Sequence, residues 1–481
     1  MDALVNVNNH AHIQAETFAK VLEVVFVHII LIAELILNHK NPQLRTIHII
    51  IITMQPSIKP QQDSWQSGMA KNIKFIVTKD CQLECKYCYL VGKNEKERMP
   101  FEVAKAAIDY VLDRENDPNF AYESVIWDFI GGEPFLEIDL IDRICDYIKT
   151  ELYRRGHHWF NSYRFSFSTN GINYDSEKVQ RFIQKNRSHL SIGITIDGTR
   201  RKHDLNRVYK ITGKGSYDDV VRNIALWQEQ FPGDGTKVTI SSADIPYICE
   251  SVLHLYDLGI HQVNINCVFE DVWNFSGSAD GSSASDAREP RALRQKPDDV
   301  LFEEQLMQLA DAIIDNGLYK DNACSFFSEH MGKPLDCTLQ NENWCGAGKM
   351  LSIDAAGNFY PCTRFAQYSL RDKEAWIIGN IHDGIDNNKL RPFLTLDRCT
   401  QSTPECAACE VAEGCAWCQG ENFDAAKTHT VYERATAICL MHKARVRANN
   451  YYWNKLYRKL ELEGLREQYD ANHAKVTETP C

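Results

Sequence analysis

Positive charge is what this chain most clearly lacks: 53 Lys and Arg stand against 65 Asp and Glu, a formal net charge of -12 over 481 residues. No Lys/Arg cluster interrupts that balance, so the sequence carries neither the footprint of a nucleic-acid binder nor a patch for an anionic surface. Long unbroken apolar runs are missing as well. The most apolar stretch, 18–37, is interrupted by Lys20, Glu23, His28 and Glu34, which suits a helix packed on protein better than a membrane span. The start of the chain has no basic n-region and no small-residue cleavage site follows, so a cytoplasmic protein is expected. With 44% hydrophobic and 25% charged residues, the chain can bury a large core and fill two or three domains.

Cysteine, by contrast, is abundant, at 17 residues. Without a secretory signal, and with several cysteines at C-x2-C spacing, metal binding is expected over disulfides, together with a reducing, oxygen-poor cytosol. The densest run lies in Asp80–Tyr89, where Cys81, Cys85 and Cys88 form C-x3-C-x2-C directly after a strand-like segment, Ile73–Val77. Three close thiolates suit an iron-sulfur cluster, because soft sulfur matches iron and a short loop can wrap one face of a cube. A cubane has four irons, so one stays open to a non-protein ligand, which is a geometry for chemistry. Tetrahedral zinc would need a fourth protein ligand, with Glu84 or a distant His the only candidates.

From Ile73 onward, strand-like and helix-like stretches alternate in the pattern of parallel β/α units. Strands are expected at Ile73–Val77, Ser124–Ile130, Arg164–Ser168, Leu190–Ile196, Lys237–Ser241 and Gln262–Val268, with amphipathic helices between them. Six units imply an α/β fold with a six-stranded partial (β/α)6 barrel, whose ligand residues sit at the C-terminal ends of the strands. Chemistry-bearing residues fall there: Gly131-Gly132-Glu133-Pro134 closes the second strand, Ser168-Thr169-Asn170-Gly171 the third and Thr195-Ile196-Asp197-Gly198 the fourth, followed by His203-Asp204-x-x-Arg207. Paired glycines let backbone approach closely, and a Glu facing inward can neutralise an ammonium. Each is also what an ordinary strand-ending turn uses, and Arg207 could equally make a surface ion pair.

A second cysteine field follows. Cys337 and Cys345 precede Gly357 and Pro361-Cys362, and then come Cys406-x2-Cys409-x5-Cys415-x2-Cys418 and Cys439. A pair of zinc ribbons is the structural alternative. Cys145, Cys249, Cys267, Cys324 and Cys481 fit no spacing and read mostly as small buried hydrophobes.

The first run, with Tyr87 before its last cysteine, resembles the signature of radical S-adenosylmethionine (SAM) enzymes. The second field resembles the SPASM domain, a C-terminal extension carrying two auxiliary clusters. The resemblance covers nearly all of Ile73–Trp453 and implies three 4Fe-4S clusters and SAM. The first is held by Cys81, Cys85 and Cys88, with SAM contacted by Tyr87, Gly131, Gly132, Glu133, Pro134, Ser168, Asn170, Thr195, Asp197 and Arg207. Matching positions assign Cys337, Cys345, Cys362 and Cys418 to one auxiliary cluster, and Cys406, Cys409, Cys415 and Cys439 to the other. The last pair is spaced x2 where the family has x3, and Cys399 lies close by, so the fourth ligand of the first auxiliary cluster stays open between Cys418, Cys399 and none.

The implied organisation is an N-terminal extension (1–68), the partial barrel (69–273), a Ser/Gly/Asp-rich flexible insertion (274–298), a helical bridge (299–336), the SPASM domain (337–440) and a C-terminal helix and tail (441–481). Pro361-Cys362-Thr363-Arg364 and Gly414–Gly420 look most like maturases of ribosomally made, cysteine-rich precursor peptides that form thioether crosslinks, and that is the reaction expected. A low-potential donor such as flavodoxin or ferredoxin would be the electron partner; no nucleic-acid partner and no membrane association is expected. The rival readings are formylglycine formation of the sulfatase-maturing type, carbon-carbon crosslinking, epimerisation, and, outside catalysis, an iron-sulfur electron carrier. Sulfatase-maturing relatives carry an Asp after the Pro-Cys cysteine, where this chain has Thr363, a poor base at neutral pH.

Overall fold

The computed structural model describes residues 70–269 and 296–469, apart from residues 92, 94–95, 330, 338–344, 416 and 468. The helix expected within 1–68, most of the 274–298 insertion and the end of the tail lie outside the described residues.

The six expected strands form as β1 (Ala70–Thr78), β2 (Ser124–Gly131), β3 (Tyr163–Thr169), β4 (Leu190–Ile194), β5 (Thr236–Ile240) and β6 (Gln262–Cys267). Neighbours pair in parallel and in sequence order through β4, and β5 pairs in parallel with β6. Between β4 and β5 only an isolated bridge, Thr195 to Lys237, carries the ladder on. Thr236 supplies what the missing strand pairing would: its fully buried hydroxyl donates to Ile194 O at 2.6 Å and accepts from Ile196 N at 3.3 Å. The crossovers are α1 (Phe101–Leu112), α2 (Ile138–Arg155), α3 (Glu177–Asn186), α4 (Arg200–Asn206), α5 (Tyr217–Gln230) and α6 (Ile248–Asp257). Pro100 caps α1, where its missing N–H costs nothing.

Strand composition decides which way each face points. On β3, Tyr163, Phe165, Phe167 and Thr169 are buried while Arg164, Ser166 and Ser168 alternate with them half-buried; β4 and β5 repeat the pattern with Ser191, Gly193, Lys237 and Thr239. The apolar set faces the helices, with Phe167 edge-on to Phe182 of α3 at 5.6 Å and Trp227 of α5 donating to Ile192 O. The opposite, inner face is therefore polar. Central β1 and β2 keep the same division, with Lys74 and Asp128 paired on one face, while Phe75, Trp127 and Phe129 stack across them on the other.

Sequence periodicity missed the short strands. β7 (Ala323–Cys324) adds to β6, and β8 (Leu351–Ile353) adds in parallel to the free edge of β1, followed by β9 (Asn358–Tyr360), β10 (Gly379–Asn380) and β11 (Gly384–Ile385) in an antiparallel meander. Two or three residues carry no readable period, so only the tertiary pairing reveals them. Through β8 the cysteine-rich region is continuous with the barrel sheet. The long helices α7 (Asp298–Asp315) and α8 (Cys439–Leu462) pack along each other, laced by Arg447–Glu303 and by Lys455 with Asp311 and Asp315. Among the described residues no helix is long and apolar enough to cross a membrane.

Trp127 tests how far the barrel depends on this central stack. Among the described residues its indole N–H has no hydrogen-bond partner, although the residue is fully buried. Trp127→Ala should cost about 3–5 kcal/mol, whereas Trp127→Phe, which deletes an unsatisfied donor, should cost markedly less; denaturant unfolding of the two variants measures the difference.

Candidate active site

The first cysteine loop leaves the end of β1 and is strapped from outside by the chain after α4. Glu84 N donates to Val208 O, Lys86 N to Asn206 O and Lys210 N to Gln82 O. Within it Cys81 is buried and Cys85 and Cys88 are partly so, all three with free thiols. Burial pushes the Cys81 thiol up to about 12 and the Cys85 thiol upward too, so a metal bound here must displace protons.

The Gly131-Gly132 pair explains how β2 comes to lie against that loop. A Cβ on Gly131 would stand 2.0 Å from Thr78 O, and one on Gly132 2.1 Å from Asp80 O, both backbone atoms at the root of the cysteine loop. With no side chains there, Gly132 N reaches Thr78 O and Glu133 N reaches Asp80 O at 3.0 and 2.9 Å. Glu133 is thereby held fully inside. Its carboxylate accepts from Thr169 Oγ1 (2.7 Å), Asn170 N (2.8 Å) and Phe135 N (3.1 Å), while burial pushes its pKa up. Pro134 opens the short helical turn that follows. Asn170 closes the circle, its amide reaching Gln82 Oε1 at 3.2 Å and lying 3.9 Å from Cys81 Sγ.

On the other side of the loop, buried Asp197 accepts from Tyr87 Oη and from Thr239 N, and Arg207 Nη1 donates to the same Tyr87 oxygen at 2.9 Å. Burial alone would raise the Asp197 pKa, but Lys202 and Arg207 outweigh it and hold the carboxyl below its usual value. Arg207 Nε has no hydrogen-bond partner and is enclosed. His203 underlies this group: it accepts from Asp197 N at Nδ1, so Nε2 carries the proton to Ser216 Oγ, whose own hydrogen goes to Arg207 O. Of the remaining expected residues, Ser168 Oγ accepts from Lys237, and Thr195 N donates to Thr169 O. Lys237 and the 206–210 strap had no sequence signal beyond their place after a strand and a helix.

The second cysteine field separates into two groups. Cys406, Cys409, Cys415 and Cys439 line one cavity of about 900 Å3, with His442 and Arg434. Cys345, Cys362 and Cys418 form the other; burial, then Cys418 and Cys345, push the Cys362 thiol up to about 12. Cys337, expected as a ligand beside them, is instead disulfide-bonded to Cys399, 62 residues away. Sequence spacing cannot register that these two loops meet. Tyr89 lies between the first loop and this group, feeling Cys88 on one side and Cys362 and Cys418 on the other, with the Arg364 guanidinium 4.8 Å over its ring. Glu421 and Asp424 anchor Arg364 and Arg371 behind it. Three thiols in one loop, three behind Tyr89 and four around one cavity are donor sets that fit iron-sulfur groups. Thr363 is buried, its hydroxyl 3.2 Å from Ser352 Oγ. Cys145 and Cys324 are buried, as expected of unligated cysteines, while Cys249 and Cys267 are partly exposed.

Away from the cysteines, Glu115, His157 and His158 bring their ligand atoms within 4.8 Å of one another. His157 Nδ1 accepts from Trp159 N, which leaves its proton on Nε2, so it faces Glu115 with an N–H and the trio is not arranged around a cation.

Residues 75–242 match the family described as the Radical SAM superfamily. The fold is a radical SAM fold. Two curated relatives are an uncharacterized protein of Methanocaldococcus jannaschii, 30% identical over 196 residues (41% of this chain, 62% of the relative), and one of Synechocystis sp., 28% identical over 156 residues (32% and 36%). The match thus spans under two thirds of either relative. Among solved structures, anSMEcpe with bound AdoMet covers 82% of this chain and 99% of its own at a TM-score of 0.58 and 18% identity. The same protein with AdoMet and the Kp18Cys peptide aligns at a TM-score of 0.55. The radical SAM fold therefore continues into the cysteine-rich, SPASM-like region. The thioether outcome expected from the sequence is overturned by these matches: the fold that spans both halves is shared with anSMEcpe, and no thioether-forming enzyme stands among the matched structures named here.

Two outcomes test this site. Gly132→Ala should drive Asp80 and with it Cys81 out of place, lowering iron bound per chain and SAM affinity together; iron analysis and equilibrium binding measure both. His203, held near 3 by burial first and then by Arg207, is neutral in the fold and charges on unfolding. Its folded pKa lies below the unfolded one, so stability is full above about pH 6.5 and falls as pH drops, by about 2 kcal/mol at pH 5. His203→Gln should remove that part of the acid-side slope in denaturation curves taken at the two pH values.

Proposed function

We propose that this protein is a radical SAM oxidoreductase that acts on a peptide, and that its reaction is two-electron oxidation of one side chain, of the formylglycine type. The observation that carries the reading is the three-thiol loop laid against the Gly131–Glu133 turn, with the buried Glu133 carboxylate beside it. The fold shared with anSMEcpe, solved with AdoMet and a Cys peptide, supports the substrate class. An iron-sulfur cluster on Cys81, Cys85 and Cys88 would supply the electron that cleaves SAM to a 5'-deoxyadenosyl radical.

The chain's own residues orient the reactants. Glu133, ringed by three donors, presents its remaining lone pairs to an ammonium, and Arg207 with its free Nε offers a donor to a carboxylate. Tyr87, clamped between Asp197 and Arg207, cannot rotate and forms a fixed wall beside the loop. Auxiliary groups on Cys345, Cys362 and Cys418, and on Cys406, Cys409, Cys415 and Cys439, would take up the surplus electron; with Cys337 held by Cys399, the first of these has three protein ligands. A flavodoxin or ferredoxin serves as donor. Carbon-carbon crosslinking is the second reading, favoured by one observation: a hydroxyl, Thr363, stands where a sulfatase-maturing relative has a carboxylate.

Anaerobic incubation of the reconstituted full chain with SAM, reductant and single-Cys peptides tests the two. An aldehyde that couples to a hydrazide probe, formed with one deoxyadenosine per peptide, supports oxidation; loss of two hydrogens with no aldehyde supports crosslinking. Unmodified peptide throughout the panel defeats both. Cys88→Ala should abolish SAM cleavage while most auxiliary iron remains.

A further inference from the structure

The inner face of the partial barrel carries a belt of charge beside the residues expected to contact SAM. Lys74 of β1 stands in register with Asp128 of β2 and Ser352 of β8. Its ammonium lies 2.5 Å from Asp128 Oδ2, and Ser352 meets Thr363. Nearer the strand ends, Lys237 of β5 reaches across β4 to donate to Ser168 Oγ at 2.8 Å; Gly193, in register with Ser168, puts no side chain between them. Lys74 and Asp128 neutralise each other. Lys237 does not share in that: among the described residues no carboxylate forms an ion pair with it.

Lys237 is exposed by surface area, yet burial is the main cause lowering its pKa, followed by the opposing fields of Asp128 and Lys74. Strand register ties this lysine to both thiol sites. Ser168 directly precedes Thr169, which holds Glu133 of the first site, and Lys74 stands in register with Ser352, whose hydroxyl meets Thr363 next to Cys362. Lys237 thus stands on the inner face, on strands that lead to both, with its ammonium open to a substrate anion.

We propose that Lys237, seated on Ser168 beside the Lys74–Asp128 pair, holds the thiolate of a substrate cysteine, so that this chain needs no carboxylate at position 363. The inference rests on the peptide-oxidation reading and names its substrate class: peptide cysteine, not serine. Only the S–H bond breaks; the proton leaves to water, the electron pair stays on sulfur, and nothing is oxidised in this step. A neighbouring ammonium draws a thiol with an ordinary pKa near 8.5 into the ionised range, as it cannot do for a serine hydroxyl. Thr363 and Ser352 spend their hydroxyls on each other and are weak bases in any case.

The test uses reconstituted full-length protein with SAM and no reductant, so that binding is read without turnover. A panel of fluorescein-labelled single-Cys peptides, each with its Ser counterpart, is titrated at pH 6.5 and 8.5. Wild type should bind at least one Cys peptide about tenfold tighter at the higher pH, with a flat response for its Ser partner. Lys237→Met should abolish the rise, Lys237→Arg should retain it, and SAM affinity should stay within about twofold in both. A rise that survives Lys237→Met, or a loss of SAM affinity in step with it, overturns the assignment and makes Lys237 a bystander or a SAM ligand. Binding of Cys and Ser peptides alike overturns it while leaving peptide oxidation standing. No binding by any peptide defeats the peptide reading itself.

Discussion

Everything at the candidate site depends on how closely β2 approaches the root of the cysteine loop. Two backbone hydrogen bonds, Gly132 N to Thr78 O and Glu133 N to Asp80 O, span that approach, and a methyl group on either glycine would stand about 2 Å from a carbonyl oxygen. Because the backbones touch, Glu133 is carried into the interior, where Thr169 and Asn170 meet its carboxylate. Asn170 then reaches back to Gln82 and Cys81. The loop, the turn and the end of β3 thus form one closed ring of contacts around the thiols. A buried carboxylate is costly unless satisfied, so this ring is as much a folding constraint as a binding surface.

The Tyr87–Asp197–Arg207 group on the far side of the loop has the same double character. Asp197 is fully buried and stays ionised because cations surround it, and His203 stays neutral because it is buried and, next, because Arg207 stands beside it. Arg207 is bound by its carbonyl through Ser216 and by its guanidinium through Tyr87, leaving one donor enclosed. Removing any member strands a charge among the others, which ties the ability to hold a ligand to the integrity of the loop strap.

The cysteine-rich half is fastened to the barrel by means the sequence hides. Three residues, Leu351–Ile353, extend the sheet beyond β1 and so set Cys362 and Thr363 next to Lys74. Tyr89, next to Cys88 in the first loop, lies under the Arg364 guanidinium of the cysteine-rich half. The polar inner face, with Lys237 and Ser168 at its centre, follows from simple alternation along β3, β4 and β5.

Much was legible beforehand, for identifiable reasons. Strands β1 to β6 showed because long apolar or alternating runs announce themselves, and the first cysteine loop showed because its ligands are local in sequence. Chain order alone put Gly131–Pro134, Asn170 and Asp197 at strand ends. The partners of Cys337, the role of Thr236 in replacing strand pairing, and the meeting of Lys74 with Asp128 and of Lys237 with Ser168 depend on residues far apart in the chain. Local pattern carries no information about such pairs. The sequence by itself determined the α/β repeat and the thiol chemistry, because both are written in periodicity and spacing; the tertiary structure decided which charges meet, because only folding brings distant side chains within a few ångströms.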